Sequence, residues 1–219
     1  MLIYKNLTII GTSHIARESI LEVKKIINEQ KPDIVALELD RTRFEILFYN
    51  KKRKTSLRDI MDIGIKGFLF NLIGAYVENK LGKMVNVKPG SEMKAAIFAA
   101  KQNKSDIALI DQDIRITLKS LSKAFGWKER FKFLGEFIKN IFKREKMSID
   151  LTKVPDKKLI KKLTDKVKND YPSIYKALIE DRNKVMAKNL YKLMLSDKSI
   201  VAVIGAGHED DIVDLIKKM

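Results

Sequence analysis

Four short, largely apolar runs punctuate the chain, the first and last of them mostly β-branched: Leu7 to Ile10, Ile34 to Leu39, Ile107 to Ile110 and Ile200 to Ile204. Valine and isoleucine suit a pleated surface, and an apolar run without polar alternation suits a strand buried on both faces, as in a parallel sheet. Between the runs the apolar positions recur at helical spacing. Ile15, Ile20, Val23, Ile26 and Ile27 predict an amphipathic helix over Ile15 to Glu29, ended by Lys31-Pro32-Asp33. Arg43 to Leu81 reads as helical. A turn at 87–92 leads into a helix over Met93 to Gln102, with Ser91 as its cap and Glu92 in its first turn. The stretch from Ile114 to Leu195 is rich in helix, punctuated by Pro155 and Pro172, and Tyr175 to Leu195 reads as one long helix. These elements predict an α/β protein with a mainly parallel central sheet flanked by helices. The expectation is a single domain over residues 1–219 with a helical insertion at about 114–195.

The first and last runs share a further feature. Each stops at a glycine, Gly11 or Gly205, and delivers a histidine three residues later, and His14 and His208 are the chain's 2 histidines. A glycine closing an apolar run reads as a tight turn. In open parallel sheets the functional crevice lies beyond the carboxyl ends of the strands, so histidines just past two strand ends can meet despite their distance in sequence. Glu38 lies inside the second run, and a carboxylate there is costly unless paired or bound to a cation. Asp111 follows the third run on the same rim, while Asp113 reads as a helix cap.

Charge and composition narrow the picture only partly. The 44 Lys plus Arg against 28 Asp plus Glu give a net charge of +16, which favours anionic partners, and the same Lys- and Glu-rich, Cys-free composition suits a heat-adapted intracellular protein. Absence of cysteine removes disulfides, thiolate metal sites and thiol nucleophiles. The amino-terminal residues lack the pattern of a secretory leader, and the longest uncharged run, Gly67 to Val77, falls well short of the roughly 20 apolar residues of a membrane span. A soluble, cytoplasmic protein is expected. An apolar stripe of Trp127, Phe131, Leu134, Ile138 and Ile141, flanked by Lys128, Arg130, Lys132, Lys139, Lys143 and Arg144, reads either as peripheral contact with an anionic membrane or as a core face with solvated flanks. Nucleic-acid binding has only the net charge behind it, with no recognition motif visible.

Taken in order, several segments resemble the TraB/PrgY family: Gly11-Thr12-Ser13-His14; Pro32-Asp33 with Glu38-Leu39-Asp40 and Arg43; Pro89-Gly90-Ser91-Glu92-Met93; Leu109-Ile110-Asp111 with Asp113; Glu180-Asp181-Arg182-Asn183; and Gly205-Ala206-Gly207-His208. That family is related to the TIKI proteases and to a wider group with erythromycin esterases and ChaN-like proteins. The resemblance implies an α/β fold whose site is formed by the two G-x-x-H histidines and the strand-end glutamate. From the TIKI side it implies a metal-dependent peptidase, and from the TraB/PrgY side the shutdown of a peptide signal. Many such chains carry membrane segments after the shared domain, whereas this sequence stops soon after His208, so anchoring is not carried over. Gln112 stands where the family often has an arginine.

The candidate chemistry follows. His14, Glu38 and His208 suit a divalent first-row ion such as Zn, Mn or Co, three protein ligands leaving a position for water that attacks a carbonyl. The bland alternative is that the histidines cap turns. Glu92 and Asp111 are candidates for a further ligand or general base, against a simple helix-dipole role for Glu92. Arg43 and Arg182 either hold a substrate carboxylate or a developing oxyanion, or form ion pairs with Glu38, Asp40 or Asp181. Asn183 is expected as a supporting hydrogen-bonder. The expected reaction is metal-assisted hydrolysis of a peptide or signal-peptide substrate. Two rivals are a metal-free ester or amide hydrolase with histidine as general base, and a non-catalytic module that binds a peptide or an anionic surface.

Overall fold

A computed structural model of the chain describes residues 1–13, 17–49, 88, 90–124, 126, 129, 132 and 157–219. The four apolar runs form β2 (Leu7–Thr12), β3 (Ile34–Leu37), β4 (Asp106–Leu109) and β5 (Ile200–Gly205). A fifth strand, β1 (Leu2–Tyr4), is absent from the sequence-based expectation. It is only three residues long, and its turn uses Lys5 at φ 52° rather than the usual glycine or asparagine. The sheet order is β1-β2-β5-β3-β4, with β1 antiparallel to β2 and every other pair parallel. The mainly parallel α/β sheet predicted from the apolar runs is therefore the fold observed.

The central strand β5 shows why its run is apolar throughout. Ile200, Ala202 and Ile204 pack on one face with Leu7, Ile9, Ile34 and Ala36, while Val201 and Val203 pack on the other with Ile10, Val35 and Leu37. The first face is covered by α7 (Asp181–Met194) and α8 (Glu209–Lys217) through Met186, Leu190, Ile212 and Ile216. The second is covered by α1 (Arg17–Gln30) and α3 (Ser91–Gln102) through Val23, Ile27, Met93 and Ile97. Each such side chain contributes about 1.5–3 kcal/mol when fully buried. Below the sheet, Asp33 ties β3 to the turn before β5: its Oδ2 accepts from the Ser199 N–H at 2.7 Å and the Ser199 hydroxyl at 2.8 Å. Those bonds, hydroxyl first, hold the Asp33 carboxyl below its ordinary pKa.

The remaining elements are α2 (Arg41–Tyr49), α4 (Ile114–Ala124), α5 (Lys157–Asp170) and the short α6 (Pro172–Tyr175). Three expectations change. Gly90, in a left-handed conformation at φ 79°, caps α3, and Ser91 instead donates its hydroxyl to the Lys88 carbonyl at 2.6 Å. The helix expected over Tyr175–Leu195 is interrupted by a π turn at Lys176–Glu180, where the Asp181 N–H reaches back five residues to the Lys176 carbonyl. The wider turn rotates everything after it relative to an unbroken helix. Asp113 does cap α4, its Oδ1 accepting from the Arg115 N–H at 2.8 Å.

The third change concerns glycine. Gly11 lies inside β2, paired with Ile204, rather than at a turn. A Cβ there would sit 2.3 Å from the Glu209 carboxyl carbon, and Glu209 is itself buried at 4% exposure. Gly11→Ala is expected to destabilise by about 1–3 kcal/mol in urea unfolding, because the buried carboxylate must move, and Glu209→Ala in the same chain to recover most of that loss. An unaltered midpoint for Gly11→Ala refutes the packing argument.

His14 and the predicted helix start at Ile15 lie outside the described residues, as do the helical pattern beyond Tyr49 and the Trp127–Arg144 stripe except for Lys132, whose Nζ pairs with Asp170 at 2.5 Å. Among the described residues no helix is long and apolar enough to cross a membrane.

Candidate functional site

Parallel pairing aligns the strand ends. Thr12 of β2 stands beside Gly205 of β5, and Leu37 of β3 beside Val203 of β5 and Leu109 of β4. The next residues therefore emerge along one rim: Glu38 one residue past β3, Asp111 two past β4 and His208 three past β5. Glu38 is 3% exposed, and its carboxylate is fixed on both oxygens. Oε2 accepts from the Gly205 N–H of the neighbouring strand at 2.5 Å, and Oε1 accepts a short bond from Arg182 Nη2. The isolated carboxylate at a strand end thus finds the pairing that its burial demands.

Arg182 links Glu38 to Asp111. Its Nη2 donates to Asp111 Oδ2 at 2.7 Å and its Nε reaches the same carboxylate at 3.1 Å, while Nη1 donates to the Leu178 carbonyl at 3.1 Å, inside the π turn. Arg43 approaches Asp111 from the other side, Nη2 to Oδ2 at 2.5 Å, and its Nε binds Asp40 Oδ2 at 2.7 Å. Asp40 also accepts from the Arg43 N–H at 2.9 Å, capping the start of α2, and from the Ile114 N–H at 3.3 Å, tying down α4. Burial alone pulls both guanidinium pKa values down. For Arg182 the charges of Glu38 and Asp111 more than reverse this, and for Arg43 those of Asp111 and Asp40 do, so both lie above the ordinary value. Both arginines form ion pairs with these acids, and Asp111, which is not among the expected partners, is shared between them. Asp181 pairs instead with Lys176.

His208 closes the network from the β5 side. Its Nδ1 stands 2.5 Å from Asn183 Oδ1, and the Asn183 amide donates through Nδ2 to Asp211 Oδ2 at 3.0 Å. Its Nε2 lies 3.6 Å from Glu38 Oε1. That is too long for a hydrogen bond. It suits two ligands of one tetrahedral ion, which at ~2.1 Å each stand roughly 3.4 Å apart. The donor types also fit, an imidazole nitrogen beside a carboxylate oxygen. Among the described residues, however, no group of three or more His, Asp or Glu side chains is placed to hold a metal.

Of the residues singled out in the sequence, Glu38, Arg43, Asp111 and Arg182 are thus joined in one hydrogen-bonded network, and Asn183 with His208 in a second that meets it where His208 Nε2 lies 3.6 Å from Glu38 Oε1, the two together forming the rim array. Glu92 sits in the first turn of α3, buried at 1% exposure, and His14 lies outside the described residues. Gln112 turns its amide to the Thr117 hydroxyl at 2.7 Å. Sequence reasoning passed over Asp211, whose only signal is its position one helical turn beyond the histidine, and Glu209, which looks like an ordinary first-turn acid.

A cleft of about 250 Å³ opens beside this array between α5 and the start of α8, lined by Lys161, Lys168, Tyr175, Gly207, Asp211 and Asp214. Comparison with known proteins gives the array a context. The chain is 38% identical over 219 residues to an uncharacterized protein of Methanocaldococcus jannaschii, a match covering 96% of this chain and 53% of that one. It is 21% identical over 230 residues to a TraB domain-containing protein of Mus musculus and 22% identical to one of Bos taurus, with 91% of this chain and 60% and 59% of those proteins covered. The chain thus spans little more than half the length of the relatives it matches. The model of the TraB/PrgY/gumN family matches residues 4–219, nearly all of the elements that carry the rim array, and the chain belongs to that family.

Proposed function

We propose that this domain is a metal-dependent hydrolase acting on a peptide, with His14, Glu38 and His208 holding a divalent ion at the carboxyl rim of the sheet. The observation that supports this reading best is the pairing of His208 Nε2 with the buried Glu38 carboxylate at 3.6 Å, each group held by its own partners. The parallel pairing of Thr12 with Gly205 supports the choice of His14, because the two segments that lead to the histidines leave the sheet side by side. When bound, such an ion supplies Lewis acidity that makes water nucleophilic near neutral pH. The chain's own contribution is positional. Asn183 holds the His208 ring, Arg182 and the Gly205 amide hold Glu38, and Asp111 keeps both arginines aligned. We place the peptide's approach along the α5–α8 cleft, whose lining includes Gly207, the residue before His208.

The test is direct. Purified protein loaded with Zn, Mn or Co in turn is expected to bind one divalent ion per chain and to cleave members of a peptide library, cleavage ceasing on chelation and returning with the ion. Cleavage that continues in the metal-free protein establishes a histidine general base instead. Peptide binding without cleavage or ion uptake establishes a non-catalytic module.

A further inference from the structure

Asp211 lies on the exposed face of α8, in the wall of the α5–α8 cleft, and has no place in the proposed reaction so far. Its Oδ2 nevertheless accepts from Asn183 Nδ2 at 3.0 Å, and Asn183, 2% exposed, meets His208 Nδ1 through its other amide atom at 2.5 Å. The direction of this relay is dictated by its outer end. An aspartate carboxylate only accepts, so the Asn183 NH2 must face it and the Asn183 carbonyl must face the ring. A carbonyl also only accepts, so His208 Nδ1 must carry the proton. In the neutral ring Nε2, on the side of Glu38, is then the nitrogen without the proton. Without Asp211 nothing in this relay distinguishes the two amide orientations, and the flipped one offers an N–H to Nδ1 and drives the proton to Nε2.

We infer that Asp211 is a positioning residue that sets the tautomer of His208 through Asn183. Its importance for ion binding rests on the proposed metal site, but the tautomer itself does not. The chain has 2 histidines, so the imidazole nitrogens resolve by ¹⁵N NMR on the neutral rings of metal-free protein, with His14→Gln assigning the signals. The wild-type His208 ring is expected as the Nδ1–H tautomer, and Asp211→Ala and Asp211→Asn as mixtures of both, because an amide at 211 can donate as well as accept and so suits either orientation of Asn183. The double variant Asn183→Asp/Asp211→Ala puts an acceptor-only group against the ring and is expected to restore Nδ1–H. This rescue separates orientation from general damage. A wild-type ring protonated at Nε2, or an Asp211→Ala ring still wholly Nδ1–H, overturns the inference. Zinc affinity provides the second reading: Asp211→Ala is expected to bind about 10-fold or more weakly. If the tautomer responds while neither protein binds an ion, the metal reading has failed and the role of Asp211 stands.

Discussion

Replacing Arg182 with methionine will cost about 3–5 kcal/mol of stability, the loss expected when one side of a buried ion-pair network is removed. Its side chain is 14% exposed and answers two carboxylates at once, Glu38 at 3% and Asp111 at 0% side-chain exposure. Methionine fills much of the volume but removes the guanidinium that spans Glu38 and Asp111. Lysine will not rescue the loss, since one ammonium cannot reproduce the paired donors that span both acids. Lys184→Met on the same helix is the control. Lys184 bridges Glu180 at 2.6 Å but is 56% exposed, so the expected change is within about 0.5 kcal/mol. Urea unfolding of the three variants decides the matter. A loss under about 1 kcal/mol for Arg182→Met shows that water already screens the array.

Glu38→Gln is the sharper test of chemistry, because it preserves shape while removing charge. With glutamine the formal charge of the cluster rises by one, so the attraction for a divalent cation weakens and the anionic ligand oxygen is lost. Ion affinity is expected to fall by more than the roughly 100-fold that altered supporting residues produce, and peptide cleavage to fall with it. The substitution has a structural cost as well. Glu38 accepts at both oxygens, from Arg182 and from the Gly205 N–H, and glutamine turns an NH2 toward one of those donors. Stability should drop by about 1–3 kcal/mol, so affinity and turnover must be compared at a temperature where circular dichroism shows the variant folded. Undiminished ion binding and turnover in folded Glu38→Gln would remove Glu38 from the site. Retained peptide binding without turnover in both proteins would favour the non-catalytic reading.

How much of this was legible beforehand follows from which forces act locally. Strands 34–37 and 200–205 announce themselves because a strand buried on both faces needs an unbroken apolar run, whereas 106–109 is a partly buried edge strand that its apolar residues mark less directly. The edge strand 2–4 is hidden, since one exposed edge and a lysine turn impose no such pattern. The π turn at 176–180 is equally silent. Its sequence, KALIE, is ordinary helix, and the widened turn accompanies the packing that turns Arg182 inward, where it meets the Leu178 carbonyl as well as its acids. Gly11 was visible as a special position but for the wrong reason. The constraint is a carboxylate from residue 209 across the rim, not a local bend.

The chain by itself determined the rim chemistry in kind: a glutamate at a strand end that demanded a partner, arginines able to supply one, and a histidine delivered past the last strand. Those follow from covalent order and the cost of burying charge, both properties of short segments. Tertiary structure alone decided the pairing. Asp111 is shared between two arginines, Arg182 rather than Arg43 holds Glu38, and Asp211 reaches His208 through Asn183. These choices depend on which strand ends lie side by side and on how a helix is rotated against them, and such distances arise only when the sheet has assembled and its two faces are covered.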